Sequence, residues 1–173
     1  MNHLLESISW AFLLTIGRYF IIAGIFFLVF YLLFPKRLLR NKIQNTLAGK
    51  RDFLREILHS SISSIMLAIT SIIALSDNLR PHTFIYTDLH AYPIWWIPVS
   101  LLLTLIVHDT YFYWMHRILH HKKLFKVTHL VHHQSTNPSP WASYSFHFLE
   151  AIAGGAVIIL LVFGIPLHPL TMA

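Results

Sequence analysis

WAFLLTIGRYFIIAGIFFLVFYLLF, residues 10–34, is the stretch whose reading decides the fold. Arg18 is its only charged residue. As a helix rising ~1.5 Å per residue, it is long enough to cross a hydrocarbon core ~30 Å thick, with some tilt. The nine residues before it hold Glu6 and no Lys or Arg, so it lacks the basic start of a secretory signal peptide and reads as a retained span. Arg18, about two turns inside this helix, is expected to snorkel toward the interface or face a neighbouring helix, and no function is assigned to it.

Outward from this run the same solvent preference recurs. Hydrophobic residues make up 55% of the 173 and charged ones 12%, far from the balance of a water-soluble domain. A second apolar run over 59–75 is rich in Ser, Ile and Ala, as suits a helix packed against others through small residues. A third starts after Tyr92-Pro93, stays apolar to about Val107 and continues as a helix into a histidine-rich region. A fourth covers 151–163, where Gly154-Gly155 allows close helix approach. The expected fold is all-α: polytopic transmembrane helices with a cytoplasmic histidine-rich helical cap. The expected division is 1–93, an N-terminal region of two spans and a basic loop, and 94–173, a second region that carries the histidine-rich stretch.

Charge sets the orientation. Lys36, Arg37, Arg40, Lys42, Lys50, Arg51 and Arg55 fall between the first two spans, and Arg117, Lys122, Lys123 and Lys126 follow the third. The 76–93 loop carries Arg80 against Asp77 and Asp88. Positive loops stay inside, so the histidine region is expected on the cytoplasmic face. The net charge of +6 is thereby spent on topology, and nucleic acid is excluded as a partner. The chain has no cysteine, which removes disulfide scaffolds, zinc knuckles and iron–sulfur clusters. Any metal must take nitrogen or oxygen ligands.

Thirteen histidines occur, and eight of them crowd into 108–147: His108, His116, His120, His121, His129, His132, His133 and His147. A helix brings positions three or four apart onto one face. His116 and His120 are four apart, and His129 is followed by His132 and His133 at plus three and plus four, so two groups of imidazoles converge and suggest two metal centres. Imidazole suits iron, zinc, copper and nickel alike. One tetrahedral zinc needs three or four ligands, fewer than this region offers. Carboxylate-bridged di-iron sites need several Glu, and here the acids are Asp109 and Glu150. A histidine-rich di-iron centre fits best. Asp109, at the end of an apolar helix, reads as a carboxylate that orients a ligating imidazole, with a salt bridge to Arg117 or another base as the structural alternative. Tyr111, Phe112, Tyr113 and Trp114 read as an interfacial aromatic belt. The outlying His3, His59, His82, His90 and His168 read as interfacial or solvated.

The stretches HDTYFYWMHRILHH, 108–121, and HLVHHQSTNPSPWASYSFH, 129–147, resemble the histidine-box region of the fatty acid hydroxylase and sterol desaturase superfamily. His116 and His120 match that family's HxxxH box, and His129, His132 and His133 its HxxHH box. The resemblance implies a membrane oxidoreductase of lipid biosynthesis that binds two iron ions and takes dioxygen as co-substrate. It would hydroxylate or desaturate a sterol, fatty acid or related lipid, and the sequence does not choose between those reactions. His121 either ligates, hydrogen-bonds or faces lipid headgroups. His108 is compatible with coordination or with a hydrogen-bonded helix position. His147 is followed by Phe148, where the family often has proline.

The chain shows no flavin, haem or dinucleotide fingerprint, so electrons are expected from an external donor: a reductase, a ferredoxin or a b-type cytochrome. Compactness and absent sorting signals favour a bacterial cytoplasmic membrane, with the endoplasmic reticulum as the location in a eukaryote. The family has a further histidine box downstream, and the sequence stops at Ala173 before it, so a shortened domain is expected. GIPLHPLTMA, 164–173, reads as a turn and the opening of a further apolar helix. Two alternatives stay open. One is a non-catalytic membrane protein whose histidines bind zinc or haem or sense pH. The other is an inactive truncated fragment.

Overall fold

The computed structural model describes residues 2–172, with side chains from residue 12 onward, so His3 and Ala173 lie outside the described side chains. The fold is all-α, and β pairing among the described residues is limited to an isolated parallel bridge between Ile85 and Leu167. Helix α1 runs Asn2–Phe27 and continues through a π-helical segment, Leu28–Leu33, closed by a bond from Phe34 N–H to Val29 O. Pro35 then opens α2, Pro35–Asn41, where its fixed φ and missing N–H are tolerated.

Helix α3, Lys50–Ala74, begins well before the apolar run that announced it. The Gly49 N–H donates to the Asp52 carboxylate at 3.0 Å, and Asp52 also pairs with Arg55 at 3.1 Å. An acid in the first turn and an i,i+3 ion pair make a charged segment helical, which apolar periodicity does not register. Helix α4 spans Trp96–Leu119, joining the apolar third run to the first two cluster histidines without a break. A short α5, Leu130–His133, comes after a reversal. The fourth run is two helices, α6, Phe148–Gly155, and α7, Val157–Gly164, joined at Ala156.

Of the four expected spans, Phe12–Leu33 and Lys50–Ala74 are long and apolar enough to cross a membrane. The α6–α7 unit, Phe148–Gly164, is apolar but shorter than the ~20 residues a crossing takes. In α4 the polar residues from His108 onward dilute an otherwise apolar helix.

Burial follows bilayer logic. Ser60, Ser63, Ser64 and Ala68 of α3 are fully buried, while Leu54, Leu58, Ile69 and Ile73 of the same helix point outward. Small residues let backbones approach, and large apolar ones meet the hydrocarbon. Gly155 of α6 is the tightest case: a Cβ placed there would lie 3.0 Å from Thr70 Cβ and closer still to its Oγ1. At the α7 end, Val157, Leu161 and Leu167 form a compact cluster against Val107 and Tyr111. Backbone bonds from Phe84 N–H to Val162 O and from Tyr86 N–H to Leu167 O tie the 76–93 loop to this end.

Within 164–172, Gly164 ends α7, Leu167 bridges to Ile85, and Pro169–Thr171 form a 3₁₀ turn where the opening of a further helix was expected. His168 is buried there, its Nδ1 accepting from Leu170 N–H at 3.2 Å, which corrects the reading of this residue as solvated. Its role is to satisfy an orphan backbone donor at the head of the turn.

Candidate metal centre

Helix α4 presents His116 and His120 one turn apart at its C-terminal end. The chain then reverses at His121–Leu124, with Leu124 N–H and Phe125 N–H both bonded to His121 O. It re-enters helix through a π-helical turn, Phe125–His129, that leads straight into α5. The extra residue of a π turn shifts the helical register of the residues beyond it. His129, His132 and His133 are thereby turned back onto α4.

Five imidazoles meet. His116 and His120 have ring centroids 4.9 Å apart, and His129 lies 4.4 Å from the first and 4.7 Å from the second. His133 lies 5.0 Å from His120 and His132 5.2 Å from His129. The His120 Nε2 is 3.2 Å from that of His116 and 3.3 Å from that of His133. The two sequence groups, expected as two centres, therefore meet as one continuous cluster.

The donor set fits a metal ion. One ligand nitrogen from each of His116, His120 and His129 lies within 4.8 Å of the others. With metal–nitrogen bonds of ~2.0–2.1 Å, ligands on one ion sit no more than about 4.2 Å apart, so the set needs only slight closure. Nε2 of His129 and Nδ1 of His116 are buried without a hydrogen-bond partner. Such orphaned nitrogens are costly unless something takes their lone pairs. Burial pushes the His129 ring down to about 3, and the neighbouring His116, His132, His133 and His120 add to the effect. His116 and His132 are lowered too, first by burial and then by their neighbours. Neutral imidazole is the form that binds metal.

Glu150, 2% exposed on the first turn of α6, places Oε2 2.9 Å from Nδ1 of the fully buried His129. Burial pushes this carboxyl up to about 8. A carboxylate behind a ligating imidazole fixes its tautomer and orientation. Sequence reasoning assigned that task to Asp109. The structure instead leaves Asp109 84% exposed, with Oδ1 3.3 Å from Nδ1 of His108. The available signal was position: an acid buried at the head of an apolar helix, three residues after a histidine.

The other three predicted histidines have different surroundings. His108, half exposed, stacks on Phe112, which in turn stacks on His116. His121 is exposed, with Nδ1 3.4 Å from Lys123 N. His147 caps α6, its Nδ1 accepting from Leu149 N–H at 3.3 Å. Of the alternative pairing of Asp109 with Arg117 or another base, the base found beside it is His108. Arg117 donates to Tyr113 Oη at 2.8 Å and lies over the Trp114 ring. The aromatic belt divides accordingly: Tyr113 and Trp114 face outward, whereas Tyr111 donates to Ala153 O at 2.6 Å and binds α4 to α6.

A strap from Ser135 to Phe146 closes one side, latched to the basic loop and to α1 and α3. Lys42 donates to Asn137, and Gln44 to Thr136 O. Ser139 donates through N–H and Oγ to the fully buried Glu56. Ser60 and Tyr19 both donate to Trp141 O, and Ser63 to Phe146 O. The strap ends with the Phe146 ring 5.2 Å from His132. None of these latches has a sequence signature, because each joins residues far apart in the chain.

Residues 101–173, which contain all five clustered imidazoles and Glu150, match the fatty acid hydroxylase family, and this match and the curated relatives together support the fatty acid hydroxylase and sterol desaturase superfamily. Among curated relatives it is similar to lathosterol oxidase of Rattus norvegicus, 31% identical over 69% of this chain and 40% of the relative. Lathosterol oxidase of Mus musculus is 27% identical over 96% of this chain and 55% of the relative. A delta(7)-sterol 5(6)-desaturase of Gibberella zeae is 33% identical over 55% of this chain and 31% of its own length. The chain thus spans between about a third and a little over half of these relatives. No solved structure matches it.

Proposed function

We propose that the chain is a membrane-bound non-haem di-iron oxidoreductase that uses dioxygen to hydroxylate or desaturate a lipid. The observation that carries this reading is the convergence of His116, His120, His129, His132 and His133 on one point, with buried, unpartnered nitrogens among them. Iron held there supplies what no side chain can, an oxidant able to take hydrogen from an unactivated C–H bond. The five imidazoles would hold it. Glu150 Oε2, 2.9 Å from Nδ1 of His129, would orient that ring so that Nε2 is the nitrogen offered to the metal. The strap brings the Phe146 ring to 5.2 Å from His132, so one α5 histidine is packed from that side.

The relatives named as lathosterol oxidase and delta(7)-sterol 5(6)-desaturase make a sterol ring the first substrate to test. The basic loops between α1 and α3 and after α4 lie toward the histidine end, which under the positive-inside rule supports a cytoplasmic cluster, within reach of a soluble electron donor. His108, His121 and His147 are outside the proposed ligand set, because their rings have other partners.

The test is metal analysis of the chain purified from membranes, followed by sterol profiling in a host lacking sterol C5-desaturation. Two irons per chain, lost in His129→Ala and in His116→Ala but kept in His121→Ala, with restored desaturation, is the expected result. One zinc or a haem absorption band, with an unchanged sterol profile, refutes it.

A further inference from the structure

The serines of the second apolar run do more than let helices approach. Glu56, Ser60 and Ser63 of α3 are each 0% exposed, and spacings of four and three residues put them on one face of the helix. That face meets the strap, and all three side chains bond to it. Glu56 Oε2 accepts from Ser139 N–H at 3.3 Å and from Ser139 Oγ at 2.5 Å. Ser60 Oγ donates to Trp141 O at 2.8 Å, and Ser63 Oγ to Phe146 O at 3.2 Å. Ser64, equally buried, donates instead to Ser60 O of its own helix.

Irregular backbone packed inside a protein must find partners for its N–H and C=O groups, because no helix or sheet ladder supplies them. The strap finds three of them on α3. The last, Phe146 O, stands one residue before His147, which caps α6. From this point two contacts reach the imidazoles. The Phe146 ring lies 5.2 Å from that of His132, and Glu150, in the first turn of α6, lies 2.9 Å from Nδ1 of His129. Helix α3 lies outside the segment 101–173 that matches the fatty acid hydroxylase family, yet its polar face leads by bonded steps to two histidines within that segment.

We propose that Glu56, Ser60 and Ser63 are positioning residues for the imidazole cluster. They fix the path of the strap, and the strap sets Phe146 against His132 and sets the start of α6, which brings Glu150 to His129. The role deepens the metal reading and rests on it for its effect on metal binding, while the placement of the rings is tested without metal.

The test treats the full chain, purified in detergent and stripped with a chelator, with diethyl pyrocarbonate, and locates the modified histidines by mass spectrometry. In the parent, exposed His121 reacts readily and buried His129 and His168 slowly. Ser60→Ala combined with Ser63→Ala speeds modification of His129 and His132 about tenfold, since each lost hydrogen bond is worth roughly a factor of two to ten. His168 reports general loosening: it sits at the opposite end of α4, where Trp96 Nε1 donates to Pro166 O, and it keeps the parent rate. Ser64→Ala, as buried and as small a change, leaves every rate at the parent level. Glu56→Gln keeps an accepting oxygen for Ser139 and stays near the parent, whereas Glu56→Ala behaves as the double serine variant does. Titration of the same proteins with cobalt(II) reads the link to metal: binding weakens about tenfold or more in the double variant and is unchanged in Ser64→Ala. A parent that binds no cobalt refutes the metal reading, and the modification rates still decide the positioning role. Rates at His129 and His132 that stay at the parent level in the double variant, rates that rise equally at His168, or cobalt binding in that variant equal to a binding parent's overturns the proposal.

Discussion

Gly155→Ala is the perturbation whose outcome the structure determines most sharply. The added Cβ would stand 3.0 Å from Thr70 Cβ and 3.2 Å from its Cγ2, with Oγ1 nearer than either. Thr70 cannot swing clear cheaply, because its hydroxyl is bonded to Met66 O and Leu67 O at 2.9 Å each. Helix α6 must therefore move away from α3 by roughly an ångström, or those bonds must break. Overpacking of this kind costs ~1–3 kcal/mol and a lost hydrogen bond ~0.5–1.5 kcal/mol, so destabilisation of about 2–4 kcal/mol is expected. The displacement reaches the candidate centre, since α6 carries Glu150, whose contact with His129 is only 2.9 Å. Thermal unfolding in detergent should show the loss, and metal content should fall with it. Thr70→Gly deletes all three clashing atoms, at about 0.3 kcal/mol of helix propensity relative to Thr, and should rescue the pair in a double-mutant cycle. A Gly155→Ala protein as stable as its parent, or costs that simply add in the double variant, would refute the close-approach reasoning.

Glu150→Gln should lower metal affinity by about 10–100-fold with little change in helix content, measured by competition with a chelator, as expected when the partner of a ligating imidazole is lost. An unchanged affinity removes Glu150 from the site. Glu56→Ala leaves the buried Ser139 N–H and Oγ without their acceptor and should cost about 1–3 kcal/mol, with faster proteolysis between residues 134 and 147. Unaltered cleavage there would show that the latch does not hold the strap. The metal-free protein should also have a stability plateau in pH. The unfolded chain takes a proton on His129 below about 6.5 that the folded form refuses down to about 3, so stability falls as pH drops through that window. Folded Glu150 keeps its proton up to about 8 where the unfolded carboxyl releases it near 4.5, so stability falls as pH rises through that window. Between 4.5 and 6.5 the two slopes oppose, and the unfolding midpoint of chelator-treated protein should be highest there. Continued stabilisation from pH 6.5 to 8 would contradict the burial of Glu150.

Much of the architecture was legible because it is written locally. The 10–34 run announced a membrane helix, since hydropathy and length are properties of contiguous residues. The plus-three and plus-four spacings announced which imidazoles share a helical face, since 3.6 residues per turn is a rule of the backbone. Where the local signal was apolar periodicity alone, it placed the start of α3 too late, because Asp52 and Arg55 form that helix by capping and pairing. It also missed the break at Ala156 that divides the fourth run.

From the sequence alone came the helical class, two helices apolar enough to cross a membrane, and the spacing that groups the histidines. Tertiary structure alone decided that both histidine groups meet in one cluster, through a reversal at His121–Leu124 and a π turn that re-aims His129. It placed Glu150, buried, 2.9 Å from His129, left Asp109 exposed beside His108, and set Arg18 in the wall of a cavity. Spacing along a chain reports neighbours within a turn or two of helix. The contacts between Glu56 and Ser139, His129 and Glu150, and Thr70 and Gly155 exist only because packing brings distant segments together, and no pattern in either partner foretells the other.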